Sequence, residues 1–149
     1  MKTHFVRIFE YNLWANNLFS ETILKADYKN PKIDVLLSHT LAAELIWLNR
    51  VDDINEIIPD VWEAFPTAEA IMTLKKADEL WLQFLNKVPD LDSIISYADS
   101  EGNSHQTALK DIITHVANHG THHRGQLATL LRQEDIAPPA SDFIFFARR

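Results

Sequence analysis

The segment from His115 to Gln126 is the part of the sequence richest in side chains that can bind a metal ion. Four of the seven histidines fall within nine residues of it, at positions 115, 119, 122 and 123. Neutral imidazole is the commonest metal ligand in proteins. Two imidazoles four residues apart project from the same side of a helix. We therefore interpret this segment as part of a metal site on a helix.

The apolar residues of this helix define the direction of its buried face: Leu109, Ile112, Ile113, Val116, Leu127, Leu130 and Leu131. At about 100° per residue, His123 lies roughly 30° and His119 roughly 70° from that direction. His115 and His122 lie roughly 110° and 130° away, beyond the edge of the apolar stripe. His119 and His123 are therefore predicted to face the interior. The alternative is that they are ordinary rim histidines, since such residues are usually partly exposed.

A third ligand must come from elsewhere in the chain, because two protein ligands do not make a stable site. His39 lies in a strongly helical segment, with Leu36, Ala43 and Ile46 at helical spacings from it. Its side chain is thus expected to border the packed face. Judged alone, His39 fits equally well a histidine at the core edge with one hydrogen bond. The chain has no cysteine, so nitrogen and oxygen atoms must hold any metal.

Other polar residues have less specific interpretations. His4, near the N-terminus, and His105, in a turn-rich stretch, are expected to be solvated surface histidines. Arg124 is expected to anchor a carboxylate elsewhere or a neighbouring subunit rather than to touch a metal. Gln126 is interpreted as a solvated flank residue, with support of the metal ligands as the alternative.

Two glycines, Gly120 and Gly125, lie inside the same predicted helix. Each costs about 1 kcal/mol relative to alanine in a helix interior. That cost is easier to accept if each glycine lets another backbone or a ligand come close. Close helix packing alone is the favoured explanation for both.

Hydrophobic periodicity predicts three helices before residue 90. The first runs roughly over 4–26 and ends before Asn30-Pro31, because a residue preceding proline is pushed out of helical geometry. The second runs from about Lys32 into the low fifties. The third starts near Thr67, a candidate N-cap, and ends near Val88.

The pattern changes between Asp92 and Gln106, where a strand-forming stretch at 94–97 precedes turn residues at 99–104. We expect a short hairpin here, with a plain loop as the alternative. Thr107 is then a candidate cap of the fourth helix, which continues to about Gln133.

Two prolines, Pro138-Pro139, are expected to stop any further helix. The apolar tail Phe143-Ile144-Phe145-Phe146 is expected to pack on the bundle or on a partner. Four helices with one short extended insertion, and no internal repeat, predict an all-α four-helix bundle. We expect residues 1–149 to form a single domain.

Composition excludes several classes of function. The 149 residues carry a formal net charge of −7, and a nucleic-acid or anionic-membrane partner requires a basic face that the scattered Lys and Arg do not form. The sequence contains no run of 18 apolar residues, so no transmembrane helix is predicted. The first residues lead directly into an amphipathic pattern without the apolar stretch of a signal peptide, so a cytoplasmic location is expected.

Three segments together resemble the DinB/YfiT-like family. They are an early Trp-Ala-Asn within Tyr11–Asn16, the isolated His39 on the second helix, and Asn-His-x-x-x-His-Arg-Gly-Gln at Asn118–Gln126. The end of the chain, Asp142–Phe146, is also similar to that family. The resemblance spans essentially the whole chain, and its His-Arg-Gly-Gln part is the most specific.

The resemblance implies a four-helix bundle holding a divalent metal ion on His39, His119 and His123, in agreement with the angular argument. Three histidines with no fourth protein ligand leave an open coordination position, as in catalytic zinc sites. Zinc and nickel are the foremost candidates, and iron and manganese are also compatible with nitrogen ligands.

Members of that family include thiol-dependent transferases and an isomerase, so the resemblance implies a metal-dependent enzyme acting on a small molecule, with a low-molecular-weight thiol as a candidate. A hydrolase using metal-bound hydroxide is a near alternative. Glu44, His115 and His122 are candidate general bases by sequence proximity only. A non-catalytic metal-binding stress or regulatory protein, or a bundle with incidental histidines, stays open. The apolar tail, four tryptophans and the resemblance predict a homodimer.

Overall fold

Four long helices, one short hairpin and one short C-terminal helix make up the computed structural model, which describes residues 1–54 and 56–149. The all-α bundle expected from the sequence is confirmed. No helix in these ranges is long and apolar enough to cross a membrane. In chain order the elements are α1 (Lys2–Lys25), α2 (Lys32–Asp52), α3 (Thr67–Lys87), β1 (Ile94–Ala98), β2 (Ser104–Ala108), α4 (Leu109–Gln133) and α5 (Phe143–Ala147).

Helices α1 and α2 each pack against both α3 and α4. Their buried stripes are mostly aliphatic and aromatic, and Trp81 of α3 is fully enclosed beside Phe9 of α1, with ring centroids 5.1 Å apart. This arrangement sets α2 beside α4, so His39 of α2 lies on the same face of the bundle as the histidine-rich α4. The largest fully buried side chains are Trp81, Phe9, Phe19, Ile23, Ile33, Leu37, Leu41, Leu45, Leu48, Leu74, Leu85 and Leu109.

The predicted hairpin is present and leads directly into α4. Strands β1 and β2 pair antiparallel, with Ile94 opposite Ala108 and Tyr97 opposite His105. The Asp99 carboxylate accepts hydrogen bonds from the backbone amides that follow it, as turn-forming aspartates do. Gly102 adopts φ +86°, which side-chain-bearing residues rarely tolerate. In the hairpin β1 packs against α2 and β2 packs against α4.

Both threonine caps predicted from the sequence are wrong. Thr67 is the first residue of α3, and its hydroxyl donates to the Asp34 carboxylate at 2.6 Å instead of capping the helix. Thr107 lies in β2, where it pairs with Ile95, and α4 begins at Leu109 without a side-chain cap. The Thr67 hydroxyl is thus used by an acceptor on α2, and Thr107 is paired within the hairpin.

The prediction that Pro138-Pro139 stops any further helix is also wrong, because the five-residue α5 follows. The rings of Phe143 and Phe146 lie 5.2 and 5.9 Å from that of Tyr11. The tail therefore packs on α1. Packing on the bundle was one of the two arrangements expected from the sequence. Ile144 and Phe145, on the other side of α5, remain about half exposed.

Candidate metal centre

The three histidines predicted as ligands lie together between α2 and α4. One nitrogen of each of His39, His119 and His123 lies within 4.8 Å of the others. The Nε2 atoms of His119 and His123 are 3.0 Å apart, and the His39 ring centroid is 4.6 Å from that of His123. His39 and His123 are buried and His119 is half-buried. Packing of α2 on α4 thus converts three distant sequence positions into one cluster.

The outer nitrogens of two of these rings are held by oxygen acceptors. His39 Nδ1 is 3.0 Å from the Val61 carbonyl oxygen, and His123 Nδ1 is 2.7 Å from Gln126 Oε1. A carbonyl oxygen only accepts, so each Nδ1 carries the proton and each Nε2 keeps its lone pair. Metal-binding histidines are typically oriented in this way. Gln126 is exposed, as expected, but it also takes the supporting role that the sequence had left as an alternative.

The spacing of the nitrogens fits a metal ion. Two nitrogen ligands at about 2.1 Å from a tetrahedral zinc ion lie roughly 3.4 Å apart. The observed Nε2 pair at 3.0 Å is slightly closer than that, and no two of the three nitrogens are more than 4.8 Å apart. With His123 protonated at Nδ1, His119 Nε2 donates to His123 Nε2, and metal binding would require His119 to give up that proton.

The protonation states also suit metal binding. Burial, and then the neighbouring His123 and His39, lower the pKa of His119 to about 4. Burial also lowers the pKa of His123, against an opposing effect of its hydrogen bond to Gln126. Both rings are therefore neutral at neutral pH, and neutral imidazole is the form that binds metal.

An exposed tryptophan covers one ligand. The Trp62 ring stacks on that of His39, with centroids 4.1 Å apart and planes 17° apart, although Trp62 is 66% exposed. The segment is anchored to α2, because the Phe65 amide donates to the Ser38 hydroxyl at 2.8 Å and Val61 accepts from His39. The sequence analysis missed Val61 and Trp62. The one available signal was a bulky aromatic residue in a proline-flanked linker.

A second polar cluster lies in the centre of the bundle, with a contribution from every long helix. Asn12 and Asn16 of α1 donate through Nδ2 to both Glu44 of α2 and Asp78 of α3, at 2.8 to 3.3 Å. Arg124 of α4 donates through Nη1 to both asparagine oxygens, at 2.6 and 2.8 Å. All five side chains are buried. We refer to these five residues as the central polar network.

The central polar network corrects the expectation for Arg124. Arg124 is buried and hydrogen-bonds to the two asparagines rather than to a carboxylate, and its charge acts on Glu44 and Asp78 within the same network. Burial raises the pKa of Glu44 to about 7, and burial together with Glu44 raises that of Asp78. Because two buried carboxyl groups face a single guanidinium, the pair tends to keep a proton at neutral pH.

The two helical glycines differ in their surroundings. A Cβ at Gly120 would lie 2.7 Å from Asn12 Oδ1 and 3.0 Å from Arg124 Nη1, so Gly120 makes room for the central polar network. Nothing lies within 4 Å of a Cβ at Gly125. Close approach of the network therefore explains Gly120. Neither close approach nor tight helix packing explains Gly125.

The candidate general bases occupy different positions. Glu44 is 1% exposed and enclosed by the central polar network, so it cannot reach a ligand at the surface of the bundle. His115 is exposed beside the Trp47 ring at 5.0 Å, and its ring centroid is 5.6 Å from that of His119. His122 is exposed on the flank of His123, at 5.1 Å. His115 and His122 therefore stay candidates and Glu44 does not.

Both histidines expected at the surface are exposed. His4 has a ring contact with Phe5 at 5.8 Å, and His105 is bonded to the Asp99 carboxylate at 2.8 Å. Neither belongs to the histidine cluster that can hold a metal ion.

Comparison with known proteins gives one family. A family model described as the DinB family matches residues 1–149. The chain is also similar to Protein DinB of Bacillus subtilis (strain 168), with 26% identity over 154 residues, covering 92% of this chain and 90% of that protein. The match to the family extends over all three histidines of the cluster.

Proposed function

The chain belongs to the DinB family, and from this membership and the histidine geometry we propose that it binds one divalent metal ion and acts as a metal-dependent enzyme on a small molecule. His39, His119 and His123 are the proposed ligands. Zinc or nickel is the proposed ion, with iron and manganese as further candidates. The observation that carries the proposal is the convergence of three ring nitrogens while two outer nitrogens are held by oxygen acceptors.

The proposed reaction is a thiol-dependent transfer or a hydrolysis. A divalent ion with an open coordination position favours the thiolate of a small thiol or lowers the pKa of bound water. The protein's own contribution is to keep three neutral imidazoles in place before the ligand arrives. Val61 and Gln126 fix two of the rings, and the Trp62 ring covers one face of His39 and limits water access from that side.

Metal binding is tested first, on protein without a histidine tag. We expect close to one equivalent of zinc or nickel in the wild type and a large loss in His39→Ala, His119→Ala and His123→Ala. His122→Ala is the matched control, because this histidine lies on the same helix outside the cluster. Wild-type protein that retains well under one equivalent after both ions are offered would contradict the proposal.

Catalysis is tested on the metal-loaded protein with a panel of small thiols and electrophiles. Any activity found should disappear in His119→Ala and His123→Ala with the fold intact by circular dichroism. It should persist in His122→Ala. Activity retained in the ligand variants would exclude this site as the catalytic centre.

A non-catalytic metal-binding stress or regulatory protein is the second candidate. One observation favours it: among the described residues, no aspartate or glutamate hydrogen-bonds to any of the three histidines. Stoichiometric metal binding without turnover across the thiol and hydrolase panels would support this alternative.

We also propose that the chain forms a homodimer and functions in the cytoplasm. The half-exposed Ile144 and Phe145 on α5 support an apolar contact with a second copy. Sedimentation that shows only a 17.1 kDa species at micromolar concentration would contradict the dimer.

A further inference from the structure

Arg50, near the end of α2, is a half-buried cation in contact with two aromatic rings. Its Cζ atom lies 4.4 Å from the Trp47 ring centroid and 4.9 Å from that of Tyr97 on β1. The two rings are themselves in edge-to-face contact, with centroids 5.1 Å apart, so both lie on one side of the guanidinium and leave its other side uncovered. Within residues 1–54 and 56–149, no acceptor forms a hydrogen bond or ion pair with it.

The carboxylate whose charge most affects Arg50 is already engaged elsewhere. Asp99 stabilises the charged form of Arg50, but it accepts hydrogen bonds from His105 at 2.8 Å and from the backbone amides of Glu101 and Asn103. Partial burial lowers the pKa of Arg50 from its usual value, so the guanidinium has lost part of its hydration. A partly desolvated guanidinium with free N–H groups is suited to bind a carboxylate through charge-assisted hydrogen bonds.

A continuous line of rings connects Arg50 with the candidate metal centre. Trp47, beneath Arg50, has its ring 5.0 Å from that of His115, which in turn lies 5.6 Å from the ring of His119. Arg50 follows His39 by eleven residues, about three helical turns, so the two lie on the same side of α2. The ring contacts limit the distance from Arg50 Cζ to the His119 ring to at most about 15 Å, which an extended small molecule can span.

We propose that Arg50 binds a carboxylate on the substrate whose reacting end reaches the metal centre. This inference rests on the proposed metal-dependent function and assigns the substrate to the class of small carboxylic acids. A carboxylate fits because the guanidinium fork donates two parallel hydrogen bonds to its two oxygens. Contacts with the rings of Trp47 and Tyr97 restrict the motion of the Arg50 side chain in advance, which reduces the entropy lost on binding.

The first test uses metal-free protein, so that it does not depend on the metal. Hexanoate and hexanol are titrated in turn while NMR follows the Arg50 Nε–H and Trp47 indole resonances. We expect hexanoate, and not hexanol, to shift both resonances. The shifts should be absent in Arg50→Gln and present in Arg7→Gln, which removes an exposed arginine of α1 and changes the net charge equally. No shift with hexanoate in the wild type would overturn the inference.

The second test uses cobalt-loaded protein and compares mercapto-carboxylates of increasing chain length with the mercapto-alcohols of the same length. Binding is read from the cobalt–thiolate absorption band. At the matching length the carboxylate should bind about tenfold more tightly, as one charge-assisted hydrogen-bonded pair allows. Arg50→Gln should abolish this preference, Arg50→Lys should keep a smaller one, and Arg7→Gln should keep it in full.

Equal binding of the carboxylates and alcohols at every length, or a preference that survives in Arg50→Gln, would overturn the role of Arg50. Failure of the wild type to bind cobalt would instead contradict the proposed metal function. In that case the hexanoate titration decides whether Arg50 is an anion site. Thermal melts of the Arg50 variants identify any loss of binding that comes from a disturbed hairpin.

Discussion

The central polar network makes a quantitative prediction for Glu44→Gln. Glu44 has a pKa of about 7 in the folded protein against an ordinary value of 4.5, mainly because burial opposes its charge. A difference of this size corresponds to roughly 3 kcal/mol of folding free energy. Glutamine has nearly the same shape, keeps an oxygen that accepts from Asn12 and Asn16, and carries no charge at any pH.

The sign follows from the proton balance. Below pH 4.5 the carboxyl is protonated in both the folded and the unfolded chain, so it has no effect on the slope. Between pH 4.5 and about 7 the unfolded chain has released this proton and the folded chain still holds it, so wild-type stability falls as pH rises. Above pH 7 the full cost of the buried charge is present. Glu44→Gln lacks this loss.

The expected result is a stability difference that changes with pH. Because Glu44 also raises the pKa of Asp78, the comparison is made in an Asp78→Asn background. There the free energy of unfolding of the Glu44→Gln protein, relative to Asp78→Asn alone, should rise by roughly 3 kcal/mol between pH 4.5 and pH 8. Urea unfolding at half-unit pH steps measures it. His119, whose lowered pKa gives a slope of opposite sign between about pH 4 and 6.5, is present in both proteins and cancels from the difference.

Glu10→Gln in the same background is the matched control, because Glu10 is exposed on α1 and its substitution also removes one carboxylate. If the Glu44→Gln difference rises no more than that of the control across this range, the buried carboxyl does not hold its proton and the account of the central polar network is wrong.

Three further predictions concern single contacts. Gly120→Ala should destabilise the fold by about 1–3 kcal/mol, because its Cβ would press on Asn12 Oδ1, whereas Gly125→Ala should be neutral or stabilising by up to about 1 kcal/mol; urea unfolding compares them. Gln126→Ala should weaken zinc binding about tenfold in a chelator competition, and unchanged affinity would mean that His123 needs no support. Nickel, which quenches nearby fluorophores, should quench the emission of Trp62 through its stack on His39; Trp62→Leu should remove most of that quenching and Trp14→Phe should not.

Periodicity was enough to predict the long helices and the hairpin, because each has a clear apolar stripe or a clear change of pattern. The end of α4 at Gln133 and the start of α2 at Lys32 agree with the sequence prediction. The threonine caps failed because a hydroxyl has several possible partners and the nearest in sequence was not the one used. Thr67 bonds to Asp34, which is far away in the chain.

The histidine cluster was predictable for a related reason. Angles on one helix ranked His123 and His119 above His115 and His122, and burial in the structure follows that order. Selection of His39 gained support from the family resemblance, since angles on separate helices cannot show that two side chains meet.

The central polar network was harder to anticipate. Asn12 and Asn16 lie at helical spacing on the buried face of α1, among Phe9, Ala15 and Phe19, and this misplaced polarity was the available signal. Which acidic and basic groups satisfy them depends on how four helices pack, and one sequence does not determine that. Arg50 was likewise missed, because its lack of a partner is visible only in three dimensions.

The two supports of the metal centre differ in how they respond to mutation. The acceptor for His39 is a main-chain carbonyl, so almost any amino acid at position 61 preserves that bond as long as the loop keeps its path. The acceptor for His123 is the side chain of Gln126 and is lost with nearly every exchange at that position. A saturation library selected for metal uptake should therefore accept many amino acids at position 61 and very few at position 126.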